Sequence, residues 1–165
     1  MKLLSNIPIN ISDGGSGIPK RILIINTGGT LSSIKSSNGL VPGMSSGDML
    51  EELRMVSKNL ELETEDFCSL DSSNIGPEDW TGLAALIAKR SYDYQGIVVI
   101  HGTDTLAYTS AMLSFMLQNI SIPVVVTGSQ LSIANPVADA LENCRCGIHM
   151  AASGYPGIFV AFNRK

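Results

Sequence analysis

The residues best suited to chemistry are hydroxyl and carboxylate side chains that directly follow apolar runs of the sequence. Thr103 and Asp104 come soon after the apolar run 97–100, and Thr30 comes after another such run and the glycine pair 28–29. A threonine hydroxyl becomes a nucleophile when a nearby base takes its proton, and the amides of a glycine loop can hold an oxyanion. These residue types predict a nucleophile at Thr30 and a second hydroxyl–carboxylate pair at Thr103 and Asp104.

The base that such a nucleophile needs is not evident in the sequence. An aspartate is a weak base unless it is desolvated, and a lysine with a lowered pKa is its usual complement. His101 lies close by, but its position directly after Ile100, at the end of a buried run, favours a structural imidazole. The alternative interpretation of Thr103 and Asp104 is helix capping, because a side-chain oxygen there can accept from the first helical turn.

Three apolar runs end in the same kind of polar loop. The runs are Arg21–Ile25, Ile97–Ile100 and Pro123–Val126, and each is followed by a glycine flanked by hydroxyl residues. Continuous apolar runs of this length are typical of parallel strands that are buried on both faces. Ligands bind to open α/β sheets at the carboxyl ends of the strands, so we expect these loops to meet along one functional edge.

The rest of the pattern alternates strands with helices. Further strands are predicted over Leu60–Leu70, nearer an edge of the sheet, and over Gly157–Phe162, and helices over about 45–56, from Pro77, over 106–117 and over about 137–152. Five strands alternating with four helices predict the fold class α/β, with a doubly wound, mostly parallel sheet in a flavodoxin-like three-layer α/β/α arrangement.

Two stretches lack such a pattern. Residues 1–19 are rich in Gly, Ser and Pro, which predicts a flexible leader in front of a single domain over 20–165. Residues 31–42 are rich in Ser, Gly and Asn and are expected to form a long polar loop beside the candidate site, where loops are often functional.

Composition and charge exclude several classes of function. The 165 residues carry a net charge of −4 and no basic run, which argues against a nucleic-acid surface in this domain. No apolar run is long enough to span a bilayer, and a cytoplasmic location is the default expectation. The odd number of cysteines, three, and the two histidines have no spacing typical of a metal site, so we expect reduced thiols, no metal and no cofactor.

The polar loops carry a resemblance to a known family. The motifs Asn26–Leu31, His101–Thr105 and Thr127–Gln130 resemble signatures of the asparaginase/glutaminase family, in their order along the chain. Asp71-Ser72 followed by Pro77–Trp80 resembles the cytoplasmic type I branch and the D subunit of the archaeal tRNA-dependent amidotransferase. The resemblance covers about residues 21–165, all of it N-terminal domain.

The resemblance implies a catalytic assignment. Thr30 attacks the side-chain amide of the substrate to form an acyl-enzyme, and Thr103 and Asp104 belong to a Thr–Asp–Lys relay that activates Thr30 or the hydrolytic water. Asp71 and Ser72 bind the α-amino and α-carboxylate groups of the substrate. Gly29 and Ser129 are implied as further substrate-binding residues. Read from the residues alone, a plain Asx turn is the alternative interpretation of Asp71 and Ser72.

The sequence departs from the family pattern in three places. The relay lysine of the family lies shortly after the strand that is Ile158–Phe162 here, and Lys165 follows this strand too closely to replace it. The smaller C-terminal domain of the family is not part of this sequence, and Leu40 stands where family asparaginases usually carry a tyrosine. We therefore expect the chain to fold but to hydrolyse asparagine poorly.

Other functions stay open at this stage. The main expectation is an L-asparaginase-type amidohydrolase that acts on asparagine, and possibly glutamine, and forms homo-oligomers. The first alternative is the D subunit of glutamyl-tRNA(Gln) amidotransferase, which supplies ammonia. The second is a flavodoxin-like phosphate- or flavin-binding module, since a Gly-rich loop at a helix N-terminus can bind an anion. A non-catalytic subunit that needs a partner chain is a third.

Overall fold

The chain forms an α/β structure around one parallel sheet. A computed structural model describes residues 19–28, 33–36, 39–42, 53–54, 57, 59–131 and 139–165. The strands are β1 (Lys20–Gly28), β2 (Ser33–Ser36), β3 (Gly39–Pro42), β4 (Leu60–Leu70), β5 (Gly96–Ile100), β6 (Pro123–Thr127) and β7 (Gly157–Val160). The predicted leader falls almost wholly on residues 1–18, and the predicted helix 45–56 almost wholly on further residues outside these ranges.

The five-stranded sheet has the order β4-β1-β5-β6-β7, and all its neighbouring strands pair in parallel. The chain therefore starts in β1, adds β4 on one side, and then crosses β1 to build β5, β6 and β7 on the other. This is the flavodoxin-like order, and its reversal lies between β1 and β5. The prediction of a doubly wound parallel sheet, with Leu60–Leu70 at an edge, is confirmed.

Helices cover both faces of this sheet. The helices are α1 (Pro77–Arg90), α2 (Leu106–Met116) and α3 (Ala140–Ala151). Helix α1 begins as predicted, with Pro77 in its first turn and the carboxylate of Asp79 accepting from the amide of Gly76 at 2.9 Å. Within the described ranges, none of the helices combines the length and the apolar character that crossing a bilayer requires.

Alternation along the central strands creates two separate cores. Side chains of β1, β5 and β6 on one face pack against α3, and those on the other face pack against α1 and α2. The first core includes Ile22, Ile24, Val98, Val125, Cys144 and Ile148, and the second includes Leu23, Ile25, Val99, Val126, Leu83, Ile87 and Leu113. Each such side chain contributes about 1.5–3 kcal/mol on burial, which explains why these strands are apolar without interruption. The three-layer arrangement is thus confirmed.

Two predictions need correction. Residues 31–42 are not simply a loop, because β2 and β3 form an antiparallel hairpin in which Ser36 pairs with Gly39 across two residues. The polar composition hid these strands, since strand recognition depends on apolar alternation. The helix predicted over about 137–152 is observed as Ala140–Ala151, and residues 137–138 lie outside the described ranges.

Candidate active site

The carboxyl end of β1 lies between the ends of β4 and β5. Gly28 has a φ angle of +97°, and a Cβ atom there would lie 2.5 Å from the carbonyl oxygen of Leu70, so the position requires glycine. On the other side, the hydroxyl of Thr27 donates to the carbonyl oxygen of Ile100 at 2.9 Å. Strand β1 therefore ends in contact with both neighbours at the reversal of strand order, which is where such sheets bind ligands.

Gly29 and Thr30 continue directly from this strand end, but both lie outside the described residues. The nucleophilic role of Thr30 and the substrate-binding role of Gly29 stay predictions. The structure shows the starting point of their loop, because Gly28 lies at the carboxyl edge of the sheet and pairs there with Leu70.

Asp71 directly follows β4 and precedes one turn of 3-10 helix, Ser72–Asn74. Its Oδ1 accepts from the amide of Ser73 at 3.0 Å and from the Ser73 hydroxyl at 2.8 Å. These two hydrogen bonds lower the pKa of the Asp71 carboxyl. The Asx turn that the sequence allowed is present, but it uses one oxygen only. Asp71 is exposed, and its Oδ2 has no hydrogen-bond partner among the described residues, so it can face a cationic group.

A hydrogen bond joins this turn to the loop after β5. The hydroxyl of Thr105 donates to the carbonyl oxygen of Ser72 at 2.7 Å. Ser72 itself is only 3% exposed. The structure thus brings the two polar loops predicted from the sequence, that of Asp71 and Ser72 and that of Thr103 and Asp104, to one place on the carboxyl edge.

The side chains of Thr103 and Asp104 take no part in the hydrogen bonds of the described fold. Thr103 is half-buried and Asp104 is exposed, and neither side chain has a hydrogen-bond partner among the described residues. The capping interpretation is wrong, because the residue at the N-cap position of α2 is Thr105, whose side chain makes no capping bond either. A hydroxyl and a carboxylate that stabilise no turn or helix end are available for a ligand.

His101 is a structural imidazole, as its position after Ile100 predicts. It is completely buried, with Nδ1 2.7 Å from the carbonyl oxygen of Gly102 and Nε2 2.9 Å from the hydroxyl oxygen of Thr109. The indole nitrogen of Trp80 donates to the same Thr109 oxygen at 2.9 Å. Burial lowers the pKa of His101 more than its bond to Gly102 raises it. The imidazole is thereby kept neutral and is fully occupied by structural bonds.

Ser129 is placed differently from its predicted role. The residue is completely buried, and its hydroxyl lies 2.5 Å from Oδ1 of Asp139 and 2.5 Å from the carbonyl oxygen of Leu131. Burial opposes ionisation of Asp139, but hydrogen bonds from Ser129, Asn143 and backbone amides outweigh it and lower the pKa of this carboxyl. The side chain of Ser129 is therefore engaged inside the protein, and its substrate-binding role stays a prediction.

Asn143 connects this group to two backbone segments. Its amide nitrogen donates to Asp139 at 2.8 Å and to the carbonyl oxygen of Gly128 at 2.9 Å, while its carbonyl oxygen accepts from the amide of Asn163 at 2.9 Å. Sequence reasoning gave no role to Asp139 and Asn143. Their spacing of four residues on a predicted helix, which puts both on one face, was the available signal.

The described residues offer little for a metal. In the part of the chain that the structure describes, no three His, Cys, Asp or Glu side chains converge in a group that could hold an ion. The arrangement provides instead one anionic turn at Asp71 and one unused hydroxyl–carboxylate pair, beside the loop that leads to Thr30. These groups suit the binding of a small zwitterion and the handling of a proton.

Comparison with known proteins agrees with this geometry. A family model described as "Asparaginase, N-terminal" matches residues 21–165. The chain is 44% identical over 146 residues to the L-asparaginase of Thermococcus kodakarensis and 39% identical over 143 residues to L-asparaginase 1 of Escherichia coli K12. It is 36% identical over 155 residues to the D subunit of glutamyl-tRNA(Gln) amidotransferase from Pyrococcus abyssi.

These matches cover most of this chain and less than half of each relative. The covered shares of this chain are 88%, 83% and 92%, and those of the three relatives are 44%, 41% and 35%. The solved structure of the thermostable L-asparaginase from T. kodakarensis, 44% identical, superposes with a TM-score of 0.79 over 86% of this chain and 44% of that one. The chain belongs to the asparaginase family and matches its N-terminal domain.

Proposed function

We propose that this chain carries the nucleophile and the substrate-binding turn of an L-asparaginase, which hydrolyses L-asparagine to L-aspartate and ammonia. The observation that carries the proposal is the pair Thr103 and Asp104, whose side chains have no hydrogen-bond partner among the described residues. The pair lies beside the turn of Asp71 and is joined to it through Thr105. Similarity to two L-asparaginases supports the choice of reaction.

In the proposed reaction, the hydroxyl oxygen of Thr30 attacks the side-chain amide carbon of asparagine. Its proton passes through the relay to the leaving nitrogen, the C–N bond breaks, and ammonia departs from an ester on Thr30. A water molecule then adds to the ester carbon, which releases aspartate and restores the hydroxyl. Thr103 and Asp104 accept and return the proton, together with the lysine that the family resemblance implies.

Charge supports the proposed orientation of the substrate. Asp71 carries a lowered pKa and an exposed, unengaged oxygen, which suits the α-ammonium group of an amino acid. The Ser72 hydroxyl has no partner among the described residues and is assigned to the α-carboxylate. The amide group of the substrate then extends towards Thr103 and the loop of Thr30. This places one end of the substrate at β4 and its reacting end at β1 and β5.

Ligand binding tests this proposal first, because binding does not require the relay lysine. L-aspartate titrated into the isotope-labelled chain is expected to shift the NMR signals of Asp71, Ser72, Thr103 and Asp104. Asp71→Asn is expected to weaken binding about tenfold or more, as loss of a charge-assisted bond does. Asp93→Asn, which changes an exposed carboxylate ahead of β5 at the opposite edge, is the matched control and leaves binding unchanged.

Activity tests the nucleophile. Thr30→Ala is expected to abolish ammonia release. The measurement uses this chain, or a longer product of its reading frame, in a form that turns over asparagine. Retention of more than about a tenth of the parental rate would exclude Thr30 as the nucleophile, because removing a relay member costs about a thousandfold or more. Shifts confined to the amino edge during the titration would exclude the proposed binding site.

The amidotransferase function is the second candidate. Identity of 36% to the P. abyssi amidotransferase protein over 92% of this chain favours it, as does Leu40 in place of the tyrosine of family asparaginases. The two candidates use the same Thr30 chemistry and differ in the consumer of the ammonia. If ammonia is released only in the presence of a partner subunit and a tRNA-linked substrate, this result would favour the amidotransferase over a free-standing asparaginase.

Homo-oligomer formation and cytoplasmic residence are also part of the proposal. Helix α2 carries no charged residue, and its Tyr108, Phe115 and Met116 are 66%, 72% and 40% exposed. Apolar surface of this kind usually marks a contact with another protein. The three cysteines are free, which is consistent with a reducing compartment. Light scattering at rising concentration tests the oligomer.

A further inference from the structure

A buried hydrogen-bond chain connects two helices to the loop that carries Thr103. It runs from the indole nitrogen of Trp80 in α1 to the hydroxyl of Thr109 in α2, then to Nε2 of His101, and from Nδ1 of His101 to the carbonyl oxygen of Gly102. The three distances are 2.9, 2.9 and 2.7 Å. The proposed reaction uses none of the three side chains.

The donor and acceptor atoms determine the direction of each of these hydrogen bonds. Indole nitrogen only donates, so the Thr109 oxygen accepts from Trp80 and its single hydrogen is left for Nε2 of His101. A carbonyl oxygen only accepts, so Nδ1 of His101 carries the proton and donates to Gly102. The imidazole is therefore neutral in one defined tautomer. Its complete burial and the lowered pKa that burial causes are consistent with this state.

The last bond of the chain fixes one peptide group of the functional loop. Because the peptide bond between Gly102 and Thr103 is trans, its N–H points away from its carbonyl oxygen. Holding the Gly102 oxygen against the buried imidazole therefore directs the amide of Thr103 away from the core. The backbone of His101 is itself fixed, since its amide donates to the carbonyl oxygen of Thr127 at 2.8 Å.

We propose that Trp80, Thr109 and His101 are positioning residues, which hold the Gly102–Thr103 peptide in one orientation and thereby place Thr103 and Asp104 for the reaction. This inference rests on the proposed function. The side chains of Thr103 and Asp104 make no hydrogen bond to a described residue, so the loop is fixed one residue earlier, at the carbonyl oxygen of Gly102. A displacement of about 1 Å at reacting groups costs about a hundredfold in rate, so such an anchor matters.

Replacement of Thr109 tests the hydrogen bonds that join Trp80, Thr109 and His101. Thr109→Val keeps the shape and removes the hydroxyl, Thr109→Ser keeps the hydroxyl, and Ser110→Ala is the control because the Ser110 hydroxyl bonds only within its own helix, to Ala107. In a form of the protein that turns over asparagine, we expect Thr109→Val to lower kcat about 10- to 100-fold with KM within about twofold, and Thr109→Ser to restore kcat to within about threefold of the parent. Ser110→Ala leaves both constants unchanged.

Nitrogen-15 NMR of the imidazole gives a readout that needs no activity. In the parent chain, His101 is expected in the tautomer protonated at Nδ1, with single amide signals for Thr103 and Asp104. In Thr109→Val, Nε2 loses its hydrogen-bond donor, so its nitrogen-15 signal is expected to shift and the two amide signals are expected to broaden or double. Should this variant fail to fold, Trp80→Phe removes the indole donor together with part of the ring and is expected to produce the same changes at smaller amplitude.

The outcomes separate this inference from the proposed function. An altered imidazole signal with an unchanged kcat, or unchanged imidazole and amide signals in a folded Thr109→Val, would overturn the positioning role of these hydrogen bonds whatever the parent hydrolyses. A parent that neither binds nor hydrolyses amino-acid amides would refute the proposed function. In that case the Thr103 and Asp104 amide signals still decide whether Thr109 orders the loop.

Discussion

After β5 the chain places a threonine and an aspartate at the edge of the sheet, and after β6 it places a serine that meets an aspartate. The fold treats the two pairs in opposite ways. Ser129 and Asp139 bond to each other at 2.5 Å and are tied to Asn143, whereas Thr103 and Asp104 bond to no described side chain or backbone group. The first pair supports a loop and the second is left for a ligand.

The two loops differ in which residue makes the structural hydrogen bonds around the backbone. In the loop after β5, buried His101 takes over the structural bonds, with Thr109 on the following helix as its partner. The loop after β6 has Gly128 at the equivalent place, which has no side chain to supply, and the next residue, Ser129, makes the structural bonds itself. A polar residue can serve a ligand when another buried residue already satisfies the backbone around it.

The largest expected difference between the pairs is in activity. In a form of the protein that turns over asparagine, Thr103→Val and Asp104→Asn are each expected to lower kcat/KM about a thousandfold or more, because members of one relay act as a unit. Their free energy of unfolding is expected to change by less than about 0.5 kcal/mol, since neither side chain supports the fold. Urea unfolding and ammonia release measured on the same preparations check both statements.

Thr81→Val is the matched control for these variants, because the Thr81 hydroxyl bonds only to the carbonyl oxygen of Pro77 within α1. It is expected to change neither activity nor stability noticeably. A loss of more than about 1 kcal/mol in Thr103→Val would show that the fold does use this hydroxyl, and the contrast between the loops would collapse.

The second expected difference is in stability. Ser129→Ala removes the hydroxyl that donates to Asp139 and leaves part of a shielded carboxylate without its partner, which costs about 1–3 kcal/mol. Ser114→Ala is the control, because its exposed hydroxyl bonds only to Ala111 of the same helix. Chemical denaturation curves with equal slopes would give the two values. A Ser129→Ala variant as stable as the parent would mean that the short bond to Asp139 contributes nothing net.

Much of the fold follows from the sequence because its decisive signals are local. The strands β1, β5 and β6 are apolar at nearly every buried position, and the ends of such strands in a parallel sheet share one edge, which located Thr103 and Asp71 correctly. The hairpin of β2 and β3 was missed because its strands are short and its sequence polar. Its boundaries depend on pairing rather than on composition.

The partners of the site residues could not be predicted in the same way. Ser129 meets Asp139 ten positions away in the sequence, and His101 meets Thr109 eight positions away on the next helix. Such bonds depend on how helices pack on the sheet, which residue spacing alone does not determine. For this reason the sequence makes both Ser129 and Thr103 candidates for the site, although of these two only Thr103 is unengaged among the described residues.

The smallest expected effect is in the pH dependence of stability. The two loops are expected to contribute to it over different ranges of pH. The pKa of His101 is lowered by burial, so its contribution is complete above about pH 6.5, the pKa of an unfolded histidine, and is lost as the pH falls through the lower folded value. Asp139 also has a lowered pKa, and its contribution is complete above about pH 4 and is lost only below that.

His101→Gln should therefore flatten the fall in unfolding free energy below about pH 6.5, and Asp139→Asn should flatten it only in the more acidic range. Differences from the parent, measured by denaturation across about pH 3–8, remove the common contribution of all other groups. Equal flattening by both variants above about pH 5 would contradict the separation, because it would require Asp139 to titrate near neutrality despite the hydrogen bonds that stabilise its charge.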